Sequence, residues 1–383
     1  MSTRRFSSAV GLSVVLALVL LACSEPNNPP NKGSSQPAVT AVGSRPAVAR
    51  PTQGPPPPVA PQRLKLAGLS GASQAALWNS TVASVLGRRL PGLDIAVQPG
   101  DVVANVPLVE KGEAQLGTTT VGAVLGLARS DDRALEQTRL RTVWAMFDAP
   151  FHVVVSRLAD TKELSDLKGK DIAIGDKSGP IYATSSRVFQ ALGLKESDFK
   201  ILHLDPIEAA AAYRAGQLDA ILATSLLPAA WLPELNANTR GLKLVPLNAP
   251  TVKRITDRNP QYTASVIPAN TYDFAKEEVS TIGEWYYLTA RDDVPADLVY
   301  SIARTIDTEL TEIQKTVPNA RLSTAENTAQ RPGFKLHSGT ERYLKERGIL
   351  REQATVSPTP QPSPTRLGSP TPSGSRTPTP RGG

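Results

Sequence analysis

One cysteine and three histidines in 383 residues leave little from which to build reactive chemistry. The lone Cys23 stands near the start, so the rest of the chain can form no disulfide, thiol nucleophile or cysteine metal site. His152, His203 and His337 are far apart in sequence and offer no spacing for a metal cluster or a catalytic triad. Neither a Walker phosphate loop nor an H-E-x-x-H helix is present. The apolar run Val10 to Leu21, broken only by Gly11 and Ser13, falls short of the roughly 20 residues that span a bilayer as a helix. An enzyme is therefore the least expected class, and no cofactor and no metal is expected.

Proline, by contrast, is plentiful and gathers at the two ends. Ser24 to Gln62 is dense in Pro, Asn, Ser, Gly and Gln and contains Pro55-Pro56-Pro57-Pro58. Ser357 to Gly383 repeats Ser/Thr-Pro pairs, among them Ser357-Pro358, Thr359-Pro360, Ser363-Pro364 and Thr377-Pro378. Both stretches hold too little apolar surface to offset the entropy of ordering, so both are expected to be disordered. The formal charge of +7 also belongs to the ends. Arg4 and Arg5 lead, Lys32, Arg45 and Arg50 outweigh Glu25 in the first Pro-rich stretch, and Arg366, Arg376 and Arg381 lie in the second. What remains between is neutral, which gives no basis for nucleic-acid binding by the fold.

Arg4 and Arg5 before a short apolar run describe a secretory signal. Its end, Leu20-Leu21-Ala22-Cys23, resembles the lipobox of bacterial lipoproteins, which implies lipidation of Cys23 and a lipid anchor on the extracytoplasmic face of a cell-envelope membrane. Residues 1–22 are thus expected to be a signal peptide and 23–62 a tether. Residues 63–352 are expected to fold, and 353–383 to form a disordered tail.

Within the folded part, short strand-like runs alternate with helical stretches. Leu64 to Leu69 reads as a strand, and Ala75 to Arg89 carries Leu77, Trp78, Val82, Val85 and Leu86 at helical spacing. Asp94 to Gln98 and Leu116 to Thr119 read as strands, with Val102 to Lys111 helical between them. Val143 to Met146 and His152 to Ser156 read as two further strands. Asp171 to Gly175, Ile201 to Leu204 and Ala220 to Leu222 repeat the strand pattern, separated by helices over Tyr182 to Leu192 and Pro206 to Ala215. Such alternation predicts an α/β fold with helices on mostly parallel sheets, and ligands outside the carboxyl ends of the strands.

Several stretches, taken in order, resemble the TAXI family of substrate-binding proteins of TRAP (tripartite ATP-independent periplasmic) transporters. These are Val97-Gln98-Pro99-Gly100 leading to Gly112-Glu113-Ala114-Gln115-Leu116, Leu164 to Lys170 with Ile172 to Gly175, and Ala215 to Ala220. Ile267-Pro268-Ala269-Asn270-Thr271-Tyr272 and His337-Ser338-Gly339 complete the series, so the resemblance runs from Leu64 to Gly348. It implies a two-lobed type II periplasmic-binding-protein fold joined by hinge strands near Phe151 to Val155 and Trp285 to Thr289. Lobe I would be about 63–150 with 285–352, and lobe II about 151–284. The implied role is a monomeric receptor that closes on a small organic anion, an amino acid or carboxylate, and hands it to a TRAP-type permease. An ABC-type or sensor-kinase-linked receptor, or a receptor fold turned to a structural role, fits the same residues.

Candidate site residues fall in the strand-to-helix loops. Ser70, Gly71, Ser73 and Gln74 can offer hydroxyls and backbone N–H groups to a carboxylate at a helix start, or simply cap that helix. The family's paired tyrosines are replaced here by Ala75 and Ala76, with Trp78 the nearest aromatic. Thr118, Thr119 and Thr120 end a strand and suit either a ligand or a cap. Ser178, Gly179 and Tyr182 occupy a Gly-containing turn that permits close backbone approach, with Lys177 the only cation in these loops. Thr224 and Ser225 would reach the cleft from the second lobe, and Trp231 is read as core. No arginine clamp is evident in these loops.

Overall fold

The computed structural model describes residues 60–350, apart from Ala72, 129–132 and Ser178, together with 382–383. The expected signal peptide, Cys23, almost all of the expected tether and nearly all of the expected tail lie outside the described residues, as does Ser178. Among the described residues no helix is long and apolar enough to cross a membrane.

The first stretch alternates β1 (Gln62–Ala67), α1 (Gln74–Arg89), β2 (Leu93–Gln98), α2 (Asn105–Glu110), β3 (Leu116–Thr120), α3 (Val121–Leu127) and α4 (Ala134–Gln137). Then comes β4 (Leu140–Ser156), which crosses to a second series: β5 (Asp171–Ala173), α5 (Pro180–Leu192), β6 (Lys200–Leu202), α6 (Pro206–Arg214), β7 (Ala220–Thr224) and α7 (Trp231–Ala237). That series ends with β8 (Leu242–Leu244), α8 (Ala249–Arg258) and β9 (Tyr262–Ile267). β10 (Val279–Arg291) returns, followed by α9 (Ala296–Thr308), α10 (Leu310–Thr316), α11 (Ala325–Gln330) and α12 (Ser338–Glu346). The result is a two-lobed α/β architecture in which β4 and β10 join the two series.

The strands form one continuous path, β2-β1-β3-β10-β4-β7-β5-β6, with β8 on β4 and β9 on β10. β1 pairs parallel with β2 and β3, and β5 pairs parallel with β6 and β7. The centre differs from the expected parallel sheet: β10 runs antiparallel to β3, β4 and β9, and β4 antiparallel to β7 and β8. The reason is the crossing itself. A chain that leaves one lobe and later returns lays its two crossing strands side by side in opposite directions.

The two strands expected over 143–146 and 152–156 are halves of the single β4. Its first part, through Pro150, pairs with β10, and from Phe151 it pairs with β7. β10 changes partner likewise: Val279 to Glu284 lie on β9 and Tyr286 to Ala290 on β3.

Each lobe has its own buried clusters. Trp78, Val82, Val85 and Leu86 of α1 bury one face against Leu64 and Leu66 of β1 and against Ile302 and Ile306 of α9. Each such side chain contributes about 1.5–3 kcal/mol by leaving water. Ser73 caps α1 by accepting from the Ala76 N–H at 3.1 Å, and Arg88 and Arg89 favour its carboxyl end. In the other lobe Ile172, Val188, Phe189, Ala220 and Leu222 close around β5 and α5.

Candidate functional site between the lobes

The mouth of lobe I is held by two buried asparagines. Asn79 accepts from the Leu69 N–H at 3.0 Å and donates to Thr118 Oγ1 at 2.7 Å. Asn105 donates to the carbonyls of Gly68 at 2.9 Å and Thr118 at 2.8 Å. A Cβ on Gly100 would stand 2.6 Å from Asn105 Oδ1, so glycine there lets the loop after β2 close on this network. Together these bonds fix the carboxyl ends of β1 and β3, where the strand rule places a ligand.

A cavity of about 300 Å³ opens between the lobes. Val102, Val103, Thr120, Gly122, Ala123 and Leu127 supply its lobe I wall. Gly179, Pro180, Ala183, Thr184 and Arg187 face it from α5, with Gln261 and Tyr262 beside them and Glu284 from β10. The helical spacing of Pro180, Ala183, Thr184 and Arg187 puts them on one face of α5. Tyr262 donates to Thr184 Oγ1 at 3.0 Å, and burial, with Glu284 adding to it, pushes its phenol up to about 12. Turned so that its amide oxygen faces Arg187, Gln261 accepts from the guanidinium at 3.0 and 3.3 Å.

Glu284 is the charged group that sequence reasoning missed on this wall. It is 7% exposed and takes the Gly122 N–H at 2.6 Å. Burial raises its carboxyl above the usual range, opposed by hydrogen bonds from Thr120 and Gly122 and by the charge of Arg187. Two residues along the same strand, Tyr286 is partly buried against the core, and its phenol is raised by burial and by Glu284.

A model of the NMT1-like family matches residues 82–348, from within α1 to just past α12. The chain belongs to the NMT1-like family. Solved structures that it resembles include the periplasmic aliphatic sulphonate binding protein SsuA from Escherichia coli, at 17% identity over 76% of this chain and 80% of that one, TM-score 0.42. A TctC solute binding protein from Polaromonas is 14% identical over 75% of this chain and 98% of its own, TM-score 0.47. The probable amino-acid ABC transporter extracellular-binding protein ytmK from Bacillus subtilis is 12% identical over 68% and 96%, TM-score 0.41.

Of the residues singled out from sequence in this NMT1-like chain, Thr120 and Gly179 line the cavity. Thr120 Oγ1 also caps α3 by accepting from the Ala123 N–H at 3.1 Å, as its cap reading expected. Ser70 Oγ donates to the Gly100 carbonyl at 2.9 Å and Ser73 is committed to its cap. Thr119 faces the other side of β3 and donates to the Val102 carbonyl at 2.7 Å. Gln74 Oε1, Trp78 Nε1 and Thr224 Oγ1 are enclosed without a hydrogen-bond partner among the described residues. Ser225 donates its N–H to the Pro150 carbonyl at 3.2 Å.

Two expectations need correcting. Trp78 is 0% exposed in the lobe I core, because position i+4 after Gln74 falls on the buried face of α1, so it forms no open aromatic wall. Tyr182 points away from the cavity: its hydroxyl donates to Glu196 at 2.8 Å and its ring meets His203 edge-on, because it lies off the α5 face that carries Ala183 and Arg187. The cavity does hold an aromatic and an arginine, but Tyr262 opens β9 and Arg187 lies two turns into α5. The only sequence signal for Arg187 was its place at i+7 from Pro180, the first residue of α5.

Proposed function

We propose that this NMT1-like chain is an extracytoplasmic receptor of the TAXI type that captures a small organic anion, an amino acid or carboxylate, in the cleft between its lobes. The observation that carries the reading is the cavity of about 300 Å³ with Arg187 and Gly179 on one wall and Thr120 on the other. A cavity at the small end of ligand-site volumes suits a metabolite of a few heavy atoms. Closure would bring the two walls together by bending at β4 and β10, where both strands change partner. The ordered motifs from Leu64 to Gly348 support the TAXI assignment and, with it, delivery to a TRAP-type permease. The tetrapeptide ending at Cys23 supports a lipid anchor on the outer face of a membrane.

Purified full-length protein should gain melting temperature with at least one member of a panel of amino acids, keto acids and dicarboxylates, since a ligand that binds only the native state stabilises it. An unchanged melting curve across the whole panel would overturn the receptor reading.

A further inference from the structure

Glu284 lies at the lobe I end of the cleft, against the start of α3. The Gly122 N–H meets Oε1 at 2.6 Å, and the Thr120 side chain hydrogen-bonds the same carboxylate. Gly122 is shaped for this seat: a Cβ there would stand 2.3 Å from Oε1 and 3.2 Å from Oε2. The Gly122 N–H is therefore engaged by the protein's own carboxylate. On the lobe II side the charge has the opposite sign, from Arg187, which Gln261 helps to orient. One cavity thus presents a fixed anion on its floor and a fixed cation on its α5 wall.

We infer that Glu284 is a specificity-determining residue, and that the cleft selects a solute with an amino group directed at Glu284 and a single carboxylate directed at Arg187. This inference rests on the receptor reading and narrows it. A keto acid or dicarboxylate would bring an unpaired oxygen against a buried carboxylate, and like charges or facing acceptors in a desolvated site cost far more than in water. An ammonium would add a donor to Glu284 and offset its charge at the same time. Burial raises the proton affinity of Glu284, so a cationic donor beside it would be favourable.

The test uses matched pairs that differ only at the amino-bearing carbon: alanine with pyruvate, and valine with its 2-oxo acid. Titration calorimetry on the full-length protein should show the amino acid of at least one pair binding about thirtyfold or more tightly than its keto acid. In Glu284→Gln, which keeps the shape and an acceptor for Gly122, that ratio should collapse through loss of amino-acid affinity. Gly122→Ala, which pushes the carboxylate from its seat, should shrink the ratio as well, with a melting curve showing that each variant is folded. Keto acids binding as tightly as their amino acids, or a ratio unchanged in folded Glu284→Gln, would overturn the inference and leave the receptor reading standing. Binding of neither class would overturn both.

Discussion

Tyr272 ties three separate segments together through one hydroxyl. It accepts from the Ala229 N–H at 2.9 Å and lies 2.9 Å from His152 Nε2, while His152 Nδ1 is 2.9 Å from the Pro150 carbonyl. Since a carbonyl can only accept, the imidazole carries its proton on Nδ1, and Nε2 accepts from the phenol. Burial pushes the Tyr272 phenol up to about 12, so it remains a donor, and burial pulls His152 down to about 4 against an ordinary 6.5. The depressed histidine contributes stability that is fully present above 6.5 and is lost as pH falls towards 4. Urea unfolding of the wild type should therefore lose on the order of 3 kcal/mol more between neutral pH and about pH 4 than unfolding of His152→Gln. Tyr272→Phe should cost about 1–3 kcal/mol at neutral pH, because it leaves the Ala229 N–H without its partner. Equal pH dependence in wild type and His152→Gln would refute this account. At this scale residue types and approximate positions were legible: His152 in a crossing strand and Tyr272 in the I-P-A-x-x-Y motif were both visible. Their bond spans 120 positions, and nothing local announces a contact of that range.

The crossing strands show what a sequence window can and cannot see. The apolar residues of β4 are nearly continuous because both faces are covered, so alternation is weak and the strand reads as two pieces. Pro150 sits where the partner changes from β10 to β7, a place where a missing N–H costs least. Opposite it, Gly283 lets β10 come close: a Cβ would stand 2.3 Å from Asp148 Oδ2 and 2.9 Å from Ser265 Cβ. Asp148 is half-buried, its carboxyl raised by burial and drawn back by a hydrogen bond from Ser265. Gly283→Ala must displace that carboxylate from a packed site, at a cost of about 1–3 kcal/mol. A denaturation midpoint unchanged in Gly283→Ala would show that the crossing is looser than this geometry requires. Helices were the more legible elements. α1 and α5 announce themselves by caps and periodicity, and α5 by Pro180 in its first turn and Gly193 at its end, where φ is +72°.

At the scale of the molecule, the two lobes have separate buried clusters yet share β4 and β10 as central strands. Neither lobe can lose those strands without opening the other, so unfolding should be a single event. Trp78 and Trp144 in lobe I and Trp231 in lobe II make tryptophan fluorescence a probe of both. Its urea transition should coincide with that of far-ultraviolet circular dichroism, and two separated transitions would show that the lobes unfold independently. The amino-acid sequence by itself determined the α/β class, the alternation of elements, and the neutral middle between basic, proline-rich ends. These follow from composition and from periods of two and 3.6 residues, which act over a few positions. It also singled out Thr120 and Gly179, which line the cavity, because strand-to-helix loops are local objects. Only the tertiary structure decided that Glu284 lies against Gly122, that Arg187 turns into the cleft, and that Trp78 and Tyr182 turn away from it. Each of those facts depends on which face of an element meets a partner far along the chain, and that choice is made by packing, where local pattern has no say.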